Sequence, residues 1–136
     1  MISIIILSIV FWSKIFGPGY TSAITDSNGN IIPGSIALLE KINLGGMEQS
    51  ILVRGYNKDN PILLWLHGGP GSSQMPIAHQ YDKELEKEFV VVHWDQRGAG
   101  KSNPAGFDEN SMSYEQFISD GHQLTRYLLQ CANSSR

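Results

Sequence analysis

Two short apolar runs, Ile62-Leu63-Leu64-Trp65-Leu66 and Phe89-Val90-Val91-Val92-His93-Trp94, constrain this chain more than any other feature. Neither alternates. A strand with no polar face needs cover on both sides, as in a parallel sheet flanked by helices. Between the runs Ile77, Tyr81, Leu85 and Phe89 recur at helical spacing, with Asp82, Lys83, Glu84, Glu86, Lys87 and Glu88 set to form a solvated opposite face. Pro76 suits the first turn of that helix. Two parallel strands cannot be joined by a tight turn, so strand, helix, strand is the unit that builds them.

Upstream, Ile36, Leu38, Ile42 and Leu44 alternate with an interruption at Glu40, and residues 47–54 alternate again through Ile51 and Val53. Gly45-Gly46 between them supplies the positive φ of a two-residue hairpin turn, which predicts an antiparallel pair of half-buried strands. Downstream, Ser113 and Gln116 form a capping box that opens a helix. Its expected apolar stripe is Tyr114, Phe117, Ile118, Leu124 and Leu128, with Gly121 on the same stripe allowing close approach to a sheet. The fold class is therefore α/β: an antiparallel hairpin, then parallel strands with crossover helices. Another buried strand is expected after residue 130, but the chain reads Cys131-Ala132-Asn133-Ser134-Ser135-Arg136, so the domain is expected to be incomplete. Asn133-Ser134-Ser135 satisfies the N-glycosylation sequon, a tripeptide that also arises by chance.

Composition excludes several classes. The 136 residues carry 10 Lys and Arg against 13 Asp and Glu with no basic run, which leaves no electrostatic footprint for nucleic acid. The single cysteine, Cys131, and four scattered histidines supply neither a disulfide framework nor zinc-ligand spacing. Residues 1–12 (MISIIILSIVFW) are uncharged and apolar apart from Ser3 and Ser8. As a helix they would rise only about 18 Å, short of a bilayer. A secretory signal, a short membrane anchor and a buried core element all remain open, with an anchor or uncleaved signal favoured. The expected organisation is an apolar leader over 1–16, with membrane anchoring through Met1 to Phe16 and a membrane-associated or exported location. A polar linker over 17–34, a partial α/β domain over 35–130 and a tail over 131–136 follow.

Chemistry concentrates in two loops. His67-Gly68-Gly69-Pro70-Gly71-Ser72-Ser73 follows the first apolar run and puts bare backbone at the carboxyl edge of a sheet, where open α/β sheets bind ligands. Backbone N–H groups in such a loop can meet a developing oxyanion, though a plain tight turn has the same composition. Asp95-Gln96-Arg97-Gly98-Ala99-Gly100-Lys101-Ser102 follows the second run. Together HGGPGSS and DQRGAGKS resemble the α/β-hydrolase fold, specifically the proline iminopeptidase family of serine peptidases, over roughly residues 35–130. That resemblance implies release of amino-terminal residues from peptides by a Ser nucleophile, a peptide substrate and no cofactor or metal. It places Gly68 and Gly69 in the oxyanion loop, with Gly69 the first choice of donor. His67, Pro70, Gly71, Asp95, Arg97, Gly98 and Ser102 would shape the site, His67 by holding the loop rather than by exchanging protons.

The family's G-x-S-x-G nucleophile elbow does not occur in these 136 residues, and its triad runs Ser, then Asp or Glu, then His. The expectation is a truncated hydrolase with half an oxyanion hole, inactive alone. The alternatives are a noncatalytic subunit completed by a partner, and an esterase-like or epoxide-hydrolase-like member. A substitute triad from Ser72 or Ser102, His67, His93 or His122, and Asp95 has the right residue types but no defining geometry. His93 reads as a packed histidine and His122 as half exposed. Gly100-Lys101-Ser102 imitates a P-loop ending, but Asp95 stands where that motif has its first Gly; Gly98-Ala99-Gly100 lacks the last Gly of a dinucleotide fingerprint.

Overall fold

The computed structural model describes residues 19–68 and 71–134. Strand β1 spans Ile36–Leu44, β2 Met47–Gly55, β3 Ile62–Leu66 and β4 Val90–Asp95. Helix α1 is Met75–Tyr81, α2 Leu85–Glu88 and α3 Tyr114–Ser134, with short 3-10 turns at Gly100–Ser102 and Glu109–Ser111. The four strands form one mixed sheet in the order β1-β2-β4-β3, antiparallel except for the β3/β4 pair.

The hairpin forms as its sequence demands. Leu44 pairs with Met47 across a two-residue turn, and Gly45 and Gly46 both take positive φ, at 55° and 80°. Ile36, Ile42 and Leu44 point to the same face as Ile51, Val53, Val90, Val92 and Trp94, where α3 lays Leu124 and Leu128. Glu40, the break in the β1 pattern, accepts a hydrogen bond from the Tyr127 hydroxyl of α3 at 2.8 Å. Burial, then that hydrogen bond, holds the Tyr127 phenol well above its usual range. A smaller cluster of Leu52, Met75 and Ala78, with Leu39 against it, occupies the opposite face under α1.

Several expectations need correction. The expected helix through Ile77, Tyr81, Leu85 and Phe89 is two short helices, and Ile77 and Tyr81 are exposed. The buried face carries Met75, Ala78, Asp82 and Glu86 instead. Two of these are carboxylates from the run expected to be solvated. They tolerate burial because the sheet supplies partners: Arg54 Nε donates to Glu86 Oε1 at 2.8 Å, and His93 Nε2 pairs with Asp82 Oδ2. Along α3, Tyr114 and Ile118 lie in water at 86% and 73% exposure, while Asp120, Leu124 and Leu128 are buried. A Cβ added at Gly121 would sit 3.8 Å from the Trp94 ring, an ordinary contact, so packing there does not require glycine.

Strand β2 lies between β1 and β4 and is buried on both faces from Gln49 to Val53, not half-buried. Conversely, β3, expected to be covered on both sides, pairs only with β4 among the described residues and leaves Leu66 59% exposed. The residues upstream of β1 also have structure. Thr25 bridges Ile31 around a turn in which Asp26 accepts from the Asn28 and Asn30 N–H groups, both at 2.9 Å, and Ile24 is buried. Arg54 donates to Thr21 Oγ1 and to the Ser22 carbonyl, which fixes this segment to β2. The expected leader over 1–16 lies outside the described residues, as do Gly69 and Pro70. Among the described residues no helix is long and apolar enough to cross a membrane.

Candidate functional site

The carboxyl ends of β3 and β4 stand side by side, Leu66 against Trp94, so the loops that follow them meet at one edge of the sheet. They are joined reciprocally. The Gln96 N–H donates to His67 Nε2 at 3.2 Å, and Gln96 Nε2 donates to the His67 carbonyl at 3.2 Å. Because Nε2 accepts, the neutral ring carries its proton on Nδ1, which lies 3.4 Å from the Gly68 carbonyl. His67 is thus a strut between loops. Gly68 is exposed beside it.

The loop after β4 is held from both ends. Asp95 is buried; its Oδ2 accepts the Lys101 N–H at 2.8 Å, and its backbone carbonyl accepts from Ser102 Oγ. Ser102 Oγ in turn accepts the Ser50 N–H of β2 at 2.8 Å, which ties the 3-10 turn to the sheet. Asp95 Oδ1 has no hydrogen-bond partner among the described residues. Gly98 takes φ +76°, and a Cβ there would come within 3.0 Å of the Phe107 ring. Gly71 also has positive φ, and a Cβ added there would lie 4.0 Å from the Gly98 carbonyl oxygen.

Arg97 reaches into the protein rather than toward the loop mouth. Its Nε donates to Asp120 Oδ2 at 2.9 Å and its Nη2 to Asp120 Oδ1 at 3.2 Å, a bidentate pair with both side chains buried. Nη2 also reaches the Gly45 carbonyl at 2.9 Å, and Nη1 lies 3.3 Å from Ser111 Oγ. Gln49 Nε2 and Gln116 Nε2 each donate to Asp120 at 2.6 Å, and the Trp94 indole donates to Gln49 Oε1 at 2.9 Å. The capping box is therefore half made: Ser113 Oγ accepts the Gln116 N–H at 3.1 Å, but the Gln116 side chain turns to Asp120. Asp120, Gln49 and Gln116 were not legible as site residues. Asp120 falls on the helix face beside Phe117 and Leu124, and a carboxylate at a core position was the available signal.

A cavity of about 210 Å³ opens between the loops, bordered by His67, Gly68, Gly71, Gln96, Arg97 and Phe117. A larger one, about 700 Å³, lies on the α1 face between residues 19–22 and α1, with Leu39, Leu52 and Met75 in its wall. No cluster of metal-ligating side chains occurs among the described residues. His93, against Trp65 with ring centroids 5.8 Å apart, is committed to Asp82, and Ser102 to backbone; neither is arranged as part of a triad.

The chain is 42% identical over 102 residues to a probable aminopeptidase of Bacillus subtilis (strain 168), covering 75% of this chain and 32% of that protein. Over 71 residues it is 34% identical to a proline iminopeptidase of Arabidopsis thaliana, covering 52% of this chain and 18% of that one. The crystal structure of a proline iminopeptidase-related protein from Thermus thermophilus superposes with a TM-score of 0.58 at 26% identity, over 68% of this chain and 32% of that chain. Over the shared stretch this chain is proline iminopeptidase-like. It spans about a third or less of the length of these relatives. No family model matches it.

Proposed function

We propose that residues 35–130 supply the amino-terminal, oxyanion-side part of an α/β-hydrolase sheet in a proline iminopeptidase-like serine aminopeptidase. The observation that carries this reading is the joining of the His67-Gly68 loop to the Asp95–Ser102 loop at the carboxyl edge of a parallel strand pair. In the whole protein, Ser would attack the scissile carbonyl of a peptide's first bond. The oxyanion would lie against the Gly69 N–H, supported by the family resemblance, and against the N–H that follows the nucleophile. On this reading His67, Pro70, Gly71, Asp95, Arg97, Gly98 and Ser102 would shape the site, His67 by holding the loop rather than by exchanging protons. No cofactor enters the scheme. Without a G-x-S-x-G the 136 residues are inactive alone. Their leader anchors the chain to a membrane or exports it.

A serine-reactive fluorophosphonate probe, applied to the purified chain alongside an amino-terminal proline amide, tests the inactivity. Neither labelling nor turnover is expected. Labelling of Ser72 or Ser102 accompanied by turnover would overturn it.

A second reading is favoured by the outer edge of β3, unpaired among the described residues, where Ile62, Trp65 and Leu66 are exposed. Such an edge is completed by further strand pairing, and a subunit that binds a partner there would be noncatalytic by itself. Light scattering separates the two readings. A compact monomer at micromolar concentration counts against the partner-binding one, and a Leu66→Lys-sensitive association supports it.

A further inference from the structure

We propose that Asp120, acting through Arg97, is a positioning residue for the His67-Gly68 loop, an inference that rests on the reading of that loop as part of the reaction site. The path is short. Asp120 on α3 grips the Arg97 guanidinium with both oxygens; Arg97 adjoins Gln96; and Gln96 holds His67 through its N–H and its side-chain amide. Gln96 is thus pinned between Asp95, paired in the sheet opposite Ser50, and an arginine anchored in the core.

The grip is pre-set. Gln49 from β2 and Gln116 from α3 each donate to Asp120, so that with Arg97 the carboxylate is held by three side-chain donors at once. Arg97 also takes the Gly45 carbonyl, which brings the β1–β2 turn into the same lattice. A planar guanidinium locked by a bidentate carboxylate has little freedom to swing, and the backbone carrying it has correspondingly little. What reaches the site is the choice of imidazole tautomer. While Gln96 N–H points at Nε2, the His67 proton sits on Nδ1 beside the Gly68 carbonyl. Asp120 touches no reacting atom. It sets how His67 and Gly68 are held against the Asp95–Ser102 loop.

Nitrogen-15 NMR of the full 136-residue chain tests this without requiring turnover, so a failure of the aminopeptidase reading leaves the result intact. In Asp120→Asn, amide exchange at Gln96 should rise at least tenfold relative to Val91 and Val92 of β4. The His67 ring nitrogens should shift from a single Nδ1–H pattern toward a mixture of tautomers. Gln116→Ala, which removes one donor to Asp120 without stranding a charge, should show the same changes to a smaller extent and serves if Asp120→Asn does not fold. Arg97→Met combined with Asp120→Leu removes both charges together and should leave β4 exchange near wild type while His67 still averages. An unchanged Gln96 and His67 in folded variants, or exchange rising in parallel across β4, would overturn the proposal.

Discussion

Adding one methyl group at Gly45 and, separately, at Gly46 separates backbone strain from the contacts beneath the hairpin turn. Both residues are left-handed, with φ of 55° and 80°, so either alanine incurs the same kind of cost, about 1–2 kcal/mol. Their surroundings differ. A Cβ at Gly46 meets nothing within 4 Å, whereas at Gly45 it would lie 2.0 Å from Asp120 Oδ1 and 2.1 Å from Gln116 Nε2. Those atoms cannot retreat without breaking buried hydrogen bonds, each loss costing about 1–3 kcal/mol. Gly46→Ala should therefore lower unfolding free energy by about 1–2 kcal/mol, and Gly45→Ala by about 2–5 kcal/mol when the broken bonds are included. Urea unfolding of the two variants reads the difference, provided the slope with denaturant is unchanged. Equal losses would show that Asp120 and Gln116 do not lie under the turn and would refute the buried lattice.

Other perturbations test other parts of the fold. Leu124→Ala, at a fully buried position, should cost about 2–5 kcal/mol. Ile118→Ala, on the exposed face of the same helix, should stay within about 0.5 kcal/mol, and thermal melts of the pair discriminate the observed face from the one expected from periodicity. Gly121→Ala should raise stability by up to about 1 kcal/mol, because helix propensity improves and the Trp94 ring leaves room; a loss in urea unfolding would show tighter packing. The raised Tyr127 phenol keeps its proton in the folded chain after the unfolded chain has released it, so its contribution is full below about pH 10 and is lost as pH rises beyond that. Tyr127→Phe should flatten the alkaline decline in melting temperature, and an unchanged decline would contradict that assignment. Asp26 behaves oppositely: the Asn30 N–H holds its carboxyl below the usual range, so the 26–30 turn should be at full strength above that range and open as pH falls below it, read from Asn30 amide exchange.

What the sequence made legible was local. Gly45-Gly46 between alternating residues specifies a hairpin, and a continuous run such as residues 90–94 specifies a covered strand, because both signals lie within a few residues. The helix faces depart from their sequence pattern for a reason of long range. Asp82 and Glu86 look like solvent-facing side chains, and Asp120 like any helical carboxylate, until His93, Arg54 and Arg97 reach them from other elements as hydrogen-bond partners. Conversely Tyr114 and Ile118 look buried because their spacing is right, but α3 meets the sheet along Leu124 and Leu128 and turns Tyr114 and Ile118 to water. Gln49 shows the same limit on a strand: a polar residue stays inside when Asp120, Leu44 and Trp94 satisfy all its bonds. At the site, the glycine loops were readable by composition. The carboxylate behind Arg97 was not, since nothing near Asp120 in the chain names its partner.

The role of the loop itself can be measured in a chimera that carries residues 35–130 in place of the corresponding stretch of the Arabidopsis proline iminopeptidase. If these residues form the oxyanion side of a serine aminopeptidase, the chimera should release amino-terminal proline. Gly69→Pro within it, which deletes one N–H, should cut kcat by about 10²–10³ with KM little changed. A folded chimera that releases proline equally well with and without that N–H would contradict the assignment.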